Sequence, residues 1–254
     1  MVGIYFSGTG NTKHCVEYFL EQYGGYCSAV SIESPDAPAA VSSHSSIVLG
    51  YPVYFSNAPK IVQDFIAANA AIFYGKKVFI IATMAMFSGD GAGCTARLLK
   101  KHGAVISGGL HLKMPDSIGD EKVLKKSAEK NRKTILAADE KIAVSVQRLK
   151  KFAPDRDGLS AAHHLAGLLG QRLWFYGMTL SYKNKPNINT AKCTGCGKCT
   201  RLCPMKNISL WDKKAVSHNR CTLCYRCFSY CPSKAITILG KRVHEQYLFE
   251  NYYT

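Results

Sequence analysis

Val2 to Phe6 is a short β-branched and aromatic run. Cys15, Val16, Phe19 and Leu20 then recur at helical spacing until Gly24 and Gly25 close the pattern. The same alternation continues down the first half of the chain. Tyr26–Ile32, Ile47–Tyr51, Lys77–Ala82 and Val105–Leu112 read as strands, the third of them as the uninterrupted apolar run KVFIIA. Ile61, Val62, Phe65 and Ile66 mark one intervening helix and Ala92–His102 another, while residues 34–45, rich in Pro, Ala and Ser, read as a loop with one helical turn. A charged helix is expected over 120–151. Strands that alternate with helices predict an α/β fold, a doubly wound, five-stranded parallel sheet whose ligand site lies where loops leave the carboxyl ends of the strands.

Three such loops carry distinctive residues. The first, SGTGNT from Ser7 to Thr12, sits between the first strand and the first helix. It offers backbone N–H groups at a helix start, the hydroxyls of Ser7, Thr9 and Thr12, and the amide of Asn11, with Gly8 and Gly10 between them. It is either a phosphate cradle or only a turn. It has neither the Gly-Lys-Ser/Thr ending of a nucleotide-triphosphate loop nor the three-glycine dinucleotide pattern, so the guest it suits is one terminal monophosphate. The second loop, GYPVYFSNAP at 50–59, follows the third strand, and TMAMFSGDG at 83–91 follows the fourth.

The second half is organised by cysteines. CTGCGKCTRLCP runs from Cys193 to Pro204, and CTLCYRCFSYCP repeats the framework from Cys221 to Pro232. Each is Cys-x2-Cys-x2-Cys-x3-Cys-Pro, the spacing that wraps three thiolates around a cubane and sends the fourth to its neighbour. Zinc sites use four ligands in pairs split by a long spacer, so the doubled run points to two [4Fe-4S] clusters. The repeat extends past the cysteines at the same offset: Ile188 matches Val216, Ile208 matches Ile236 and Leu210 matches Ile238. Each half therefore reads strand, cluster loop, short helix, strand. Cys15, Cys27 and Cys94, in or beside apolar patterns, are expected to be buried structural thiols.

Between the halves, Pro154, Asp155, Asp157 and Gly158 make a turn. Leu165, Leu168, Leu169, Leu173, Trp174 and Phe175 then suggest an amphipathic helix over 159–175, interrupted by Gly167 and Gly170, that docks the two parts or offers a partner surface. His163 and His164 are expected to be solvated or hydrogen-bonded rather than metal-bound. The boundaries drawn are 1–151, 152–185 and 186–254.

Length and charge narrow the picture further. The 254 residues carry a formal charge of +16, and from Lys192 onward eleven Lys/Arg stand against three Asp/Glu, which is half of the excess. Two clusters with their thiolates remove roughly four units of charge, and the surface stays basic. A basic face steers an acidic redox protein or reductase partner; nucleic acid is not expected, because no helix-turn-helix, zinc-finger or aromatic RNA-binding motif accompanies the charge. The start MVGIYFSGTG has no charged leader, and there is no run of eighteen apolar residues, so neither export nor membrane insertion is expected. Thiols in this number suit a reducing cytoplasm.

On the motif SGTGNT and the two loops after it, the first 150 residues resemble a flavodoxin. The resemblance implies FMN. Ser7, Gly8, Thr9, Gly10, Asn11 and Thr12 would hold its phosphate; Pro52, Tyr54, Phe55 and Asn57 would flank one side of the ring, with Thr83, Phe87, Gly89 and Asp90 on the other. Tyr54 is the best stacking candidate unless it faces a partner, Phe55 is its rival, and Phe87 either touches flavin or packs in the core. The acidic surface usual in flavodoxins is missing. The cysteine region is similar to bacterial ferredoxins with two [4Fe-4S] clusters, which implies that Cys193, Cys196, Cys199 and Cys231 hold one cluster and Cys221, Cys224, Cys227 and Cys203 the other. Gly195 and Gly197 leave backbone N–H groups free to approach cluster sulfurs. Lys198, Arg201, Arg220 and Arg226 either favour the reduced clusters or serve solubility.

The whole chain thus resembles fusion proteins of a flavodoxin-like domain and a small α+β ferredoxin domain, found mainly in anaerobes. What this implies is an electron-transfer flavoprotein that exchanges electrons with a partner redox protein. Two other readings stay open: a reductase of a small molecule at the flavin, with Tyr54 or Asp90 as its acid, and a degenerate flavodoxin half that only binds the partner.

Overall fold

The computed structural model describes residues 1–54, 57–169 and 182–253. Five parallel strands form the first sheet: β1 (Val2–Tyr5), β2 (Ser28–Ser31), β3 (Ser46–Pro52), β4 (Lys77–Met84) and β5 (Val105–Lys113), in the order β2-β1-β3-β4-β5. Strand side chains alternate between two cores, as a two-residue period requires. Ile47 and Leu49 of β3 and Ile80 of β4 face one layer, made by α2 (Ala37–Ser42), α3 (Lys60–Ala68) and α4 (Gly91–Lys101), through Val41, Val62, Ile66 and Leu99. Val48, Phe79 and Ile81 face the other, where α1 (Asn11–Tyr23) and α5 (Ala128–Lys150) bring Val16, Phe19, Ile135 and Ile142. A sheet covered on both faces is why the strands read as nearly continuous apolar runs.

The charged helix expected from residue 120 begins only at Ala128, where the Ser127 hydroxyl accepts from the Lys130 N–H at 3.2 Å. The eight residues before it have another task. Asp120 is 2% exposed, and its carboxylate accepts from the Tyr225 hydroxyl (2.9 Å) and from the N–H groups of Ile238 (2.6 Å) and Leu239 (3.1 Å). A helix there would carry the carboxylate away from those donors.

In the cysteine region, β6 (Asn187–Ile188) pairs antiparallel with β9 (Ile236–Thr237), and β7 (Ile208–Trp211) with β8 (Lys214–Ser217). The first strand of each half pairs with the last strand of the other, so the sequence repeat becomes a pseudo-twofold structure. Two short helices, Lys198–Leu202 and Arg226–Ser229, carry the third cysteine of each triplet, Cys199 and Cys227. Ile208, Tyr225, Phe228, Ile236 and Ile238 form a third core, against which Cys193, Cys199, Cys221 and Cys231 pack.

The described part of the expected docking helix is α6 (Ala161–Gly167). It lies against α4, where His164 Nδ1 is 2.9 Å from the Asp90 carboxylate, and it leaves Leu165 and Leu169 more than half exposed. The expectation that Leu165 and Leu169 press between the domains is therefore corrected. Gly170, Leu173, Trp174 and Phe175 lie outside the described residues, as does Phe55. Among the described residues no helix is long and apolar enough to cross a membrane.

Candidate functional site

The first loop opens on a cleft of about 240 Å³ at the carboxyl ends of the strands. Ser7, Gly8, Thr9, Asn11, Thr12, Pro52, Tyr54, Thr83 and Phe87 line it, so the structure brings together residues of all three loops. Among the described residues no side chain caps α1 and no acidic residue sits in its first turn, as holds also for α2, α3 and α4. The amino-terminal N–H groups of α1 thus face a cleft ringed by hydroxyls, a donor set that suits a phosphate. By donor chemistry the residues fit the phosphate of FMN.

The loop residues differ in how free they are to bind. Thr12 and Thr83 are buried, with their hydroxyls 2.7 Å apart. The Asn11 side chain is taken up by protein: its amide donates to the Pro115 carbonyl at 2.8 Å, and its oxygen accepts from the Tyr247 hydroxyl at 2.6 Å. Its backbone N–H is what remains for a phosphate.

Four expected contacts fall outside the cleft wall. Gly10 donates its N–H to Ser7 Oγ (3.1 Å) and packs against Phe249. Asn57 lines a neighbouring groove, and Gly89 a cavity on the far side of the third loop. Asp90 is fully buried beside Arg97 (2.7 Å) and His164. Phe87 is half exposed and lines the cleft, so it is not a core residue.

The sequence did not mark the opposite wall of this cleft. It is made by Asp116, whose carboxyl is pushed up by burial, and by Leu223, Cys224 and Tyr225 of the second cysteine motif, beside Met86 of the expected third loop. Tyr54 stands close enough to this motif that burial and then the Cys224 charge push its hydroxyl well above the usual range.

The cysteines fall into two sets. Cys193, Cys196, Cys199 and Cys231 line one small cavity; burial, then Cys231, Cys193 and Cys196, push the Cys199 thiol up to about 11. In the second set Cys224 is pushed up to about 12 by burial, with Cys221 and Cys203 adding to it, and burial pushes Cys227 well above the usual thiol range, with Cys224, Cys221 and Cys203 adding to it. Burial favours the neutral thiol at Cys199, Cys224 and Cys227, and a polycationic core such as an iron-sulfur cubane would stabilise the thiolates. Among the described residues no three His, Cys, Asp or Glu side chains close on a single metal ion.

Backbone N–H groups complete each set with the same two-fold logic. Asn207 N donates to Cys203 Sγ (3.3 Å) and Ala235 N to Cys231 Sγ (3.4 Å), each four residues after its cysteine. Gly195 and Gly197 have φ of 71° and 69°. Their counterparts Leu223 and Tyr225 hold the same left-handed backbone at 58° without being glycine, strain that the surrounding core maintains.

The two sets are not equivalent. A Cβ on Gly8 would lie 2.1 Å from the Cys224 carbonyl oxygen, so the first loop rests directly on the second motif. Arg226 fastens this junction: its guanidinium donates to both Glu33 oxygens (2.6 and 2.7 Å), to the Ser7 carbonyl (2.7 Å) and to the Leu202 carbonyl (3.2 Å). It is therefore a structural clasp as well as a charge near a cluster.

Residues 244–253 form a strap across the same junction. Gln246 Nε2 donates to the Phe228 and Cys231 carbonyls, and Phe249 N donates to the Thr9 carbonyl at 2.9 Å. His14 stacks on the Phe249 ring, with centroids 4.4 Å apart. Of the other thiols, Cys15 is fully buried, whereas Cys27, just before β2, and Cys94, in the first turn of α4, are only half-buried, which corrects the expectation for these two. His163 and His164 are hydrogen-bonded, to Ser160 and Asp90.

Residues 3–107 match the flavodoxin domain family and residues 192–235 the 4Fe-4S dicluster domain family. Among solved structures, the two-electron reduced flavodoxin of Megasphaera elsdenii is 25% identical, covering 55% of this chain and 99% of its own, with a TM-score of 0.42. A flavodoxin from the domain Archaea is 15% identical, over 59% of this chain and 97% of its own, also at 0.42. The rubredoxin oxygen:oxidoreductase of Desulfovibrio gigas is 12% identical, over 59% of this chain and 36% of its own, at 0.40. Comparison with the curated proteins finds no match. With both family matches on one chain, this is an iron-sulfur flavoprotein of electron transfer, an amino-terminal flavodoxin domain joined to a carboxyl-terminal 4Fe-4S dicluster domain.

Proposed function

We propose that this protein is an electron carrier with two [4Fe-4S] clusters and one FMN in line, exchanging electrons with a partner redox protein at the cluster farther from the flavin. One observation carries the order: Cys224 shares a wall with the flavin cleft, while Cys196 of the other set is exposed. When bound, the clusters exchange single electrons and FMN one or two. The chain's own part is to hold these groups close and keep water out. Ser7, Thr9, Thr12 and the start of α1 hold the phosphate, Tyr54 and Phe87 hold the ring, and Arg226 fixes the first loop against the second motif. A reducing cytoplasm suits eight thiolate ligands.

Anaerobic purification with metal, sulfide and flavin analysis tests the cofactor set. About eight irons, eight sulfides and one FMN per chain are expected; zinc, or half that iron, would overturn it. A second reading, reduction of a small molecule at the flavin, is favoured by a cavity of about 660 Å³ that shares Met84, Met86 and Phe87 with the cleft. Asp90 is held off the cleft by Arg97 and His164, so the acid in that reading is Asp116, already pushed up by burial. Turnover of a small substrate by the photoreduced protein alone would replace the carrier with this reductase.

A further inference from the structure

The hairpin of β7 and β8 presents an unusual tip. Trp211 is 77% exposed and Leu210 43%, next to a tight turn in which Asp212 and Lys213 both hold left-handed backbone, at φ 44° and 56°. A large apolar side chain on a rigid turn is a poor solubility device and a good contact point. The tip is also fastened to the first cysteine set. The Lys213 carbonyl packs on Gly195, Lys214 Nζ donates to the Cys193 carbonyl at 2.7 Å, and Ala215 N donates to Cys193 Sγ at 3.5 Å. Leu210 lines the same cavity as the exposed Cys196. Around this centre Lys192, Lys198, Arg201 and Lys213 are exposed, and Asp212 is the lone acid between Lys192 and Lys214.

We infer that this tip and the first cysteine motif form the docking face for an acidic redox protein, with Trp211 and Leu210 at its centre and the lysines and arginine as its rim. The inference rests on the reading above, that the first cysteine set is the outer end of the line. An apolar centre inside a charged rim is the anatomy of a protein interface. A small area suits the brief encounters of redox partners, and the charge of the rim fixes the sign of the partner by complementarity. A strand of nucleic acid would instead call for a track of stacking aromatics along a basic groove, and here one tryptophan stands at a tip.

The test uses the holoprotein. Trp211→Ala and the double variant Lys192→Glu, Lys213→Glu are prepared with iron, sulfide and flavin counts equal to those of the parent. Each is reduced in a stopped-flow instrument by a photoreduced acidic bacterial ferredoxin and, separately, by photoreduced deazaflavin. The double variant is expected to lose about tenfold of the second-order rate with ferredoxin at low salt, and most of its salt dependence. Trp211→Ala is expected to lose about tenfold at every salt concentration, as loss of an interface anchor does. Deazaflavin rates stay at the parent value.

Unchanged ferredoxin rates in both variants would overturn the docking face. So would tight binding of a single-stranded oligonucleotide that is lost in Trp211→Ala while ferredoxin rates hold. A Cys196→Ala variant separates the two levels. If ferredoxin still reduces its flavin at the parent rate, the internal order fails; if flavin reduction stops while the face variants behave as the parent does, only the docking face fails.

Discussion

Four acceptors converge on the Arg226 guanidinium, two from Glu33 and one each from Ser7 and Leu202, and the side chain is only 15% exposed. The pair contributes little net stability, because both charges leave water to make it, but removing one partner strands the other. Arg226→Met is expected to cost about 3 kcal/mol in denaturant unfolding, and Arg226→Lys to recover only part, since an ammonium cannot fork across a carboxylate. Gly8 makes the same junction from the other side. Gly8→Ala puts a methyl 2.1 Å from the Cys224 carbonyl, so it is expected to slow flavin reduction by the clusters while iron content holds, as flash photolysis would report. His111 gives a pH signature. Burial, with His163 and Lys141 behind it, holds its imidazole down at about 4 against the opposing pull of Asp157 and Asp90. A depressed histidine contributes stability above its unfolded pKa of 6.5 and loses it as pH falls toward 4. The melting temperature is expected to drop through that window, and His111→Gln to flatten the drop.

At the scale of elements, what the sequence disclosed was local. The spacing of SGTGNT and of the two cysteine runs is set by residues within a dozen positions, so the two family resemblances could be read directly. Strand and helix order followed from period alone. What stayed hidden were partners far apart in the chain. Asp120 meets Ile238 across 118 positions, and no pattern around residue 120 announces that it leaves the helix to do so. The strap is the other case, for Tyr247 and Phe249 lie in a stretch with no repeat or motif and yet back the first loop at Asn11 and Thr9. Tyr247→Phe combined with Phe249→Ala is expected to weaken FMN binding by about tenfold in an equilibrium titration, roughly 1.4 kcal/mol, with cluster content unchanged.

Across the whole molecule, the contacts described tie the two domains where the first loop, the second cysteine motif and the strap meet, and again where Asp120 holds Tyr225, Ile238 and Leu239. That arrangement has a consequence for how the protein is made. The first loop leaves the ribosome before both cysteine motifs, and the residues that brace it emerge after them. Gln246 seats the strap on the carbonyls of Phe228 and Cys231 in the second cysteine motif, so in the proposed function the loop that closes on iron also carries the strap. Chains made during iron starvation are therefore expected to carry less FMN as well as less iron, and flavin occupancy in the purified protein becomes a record of the cell's iron supply.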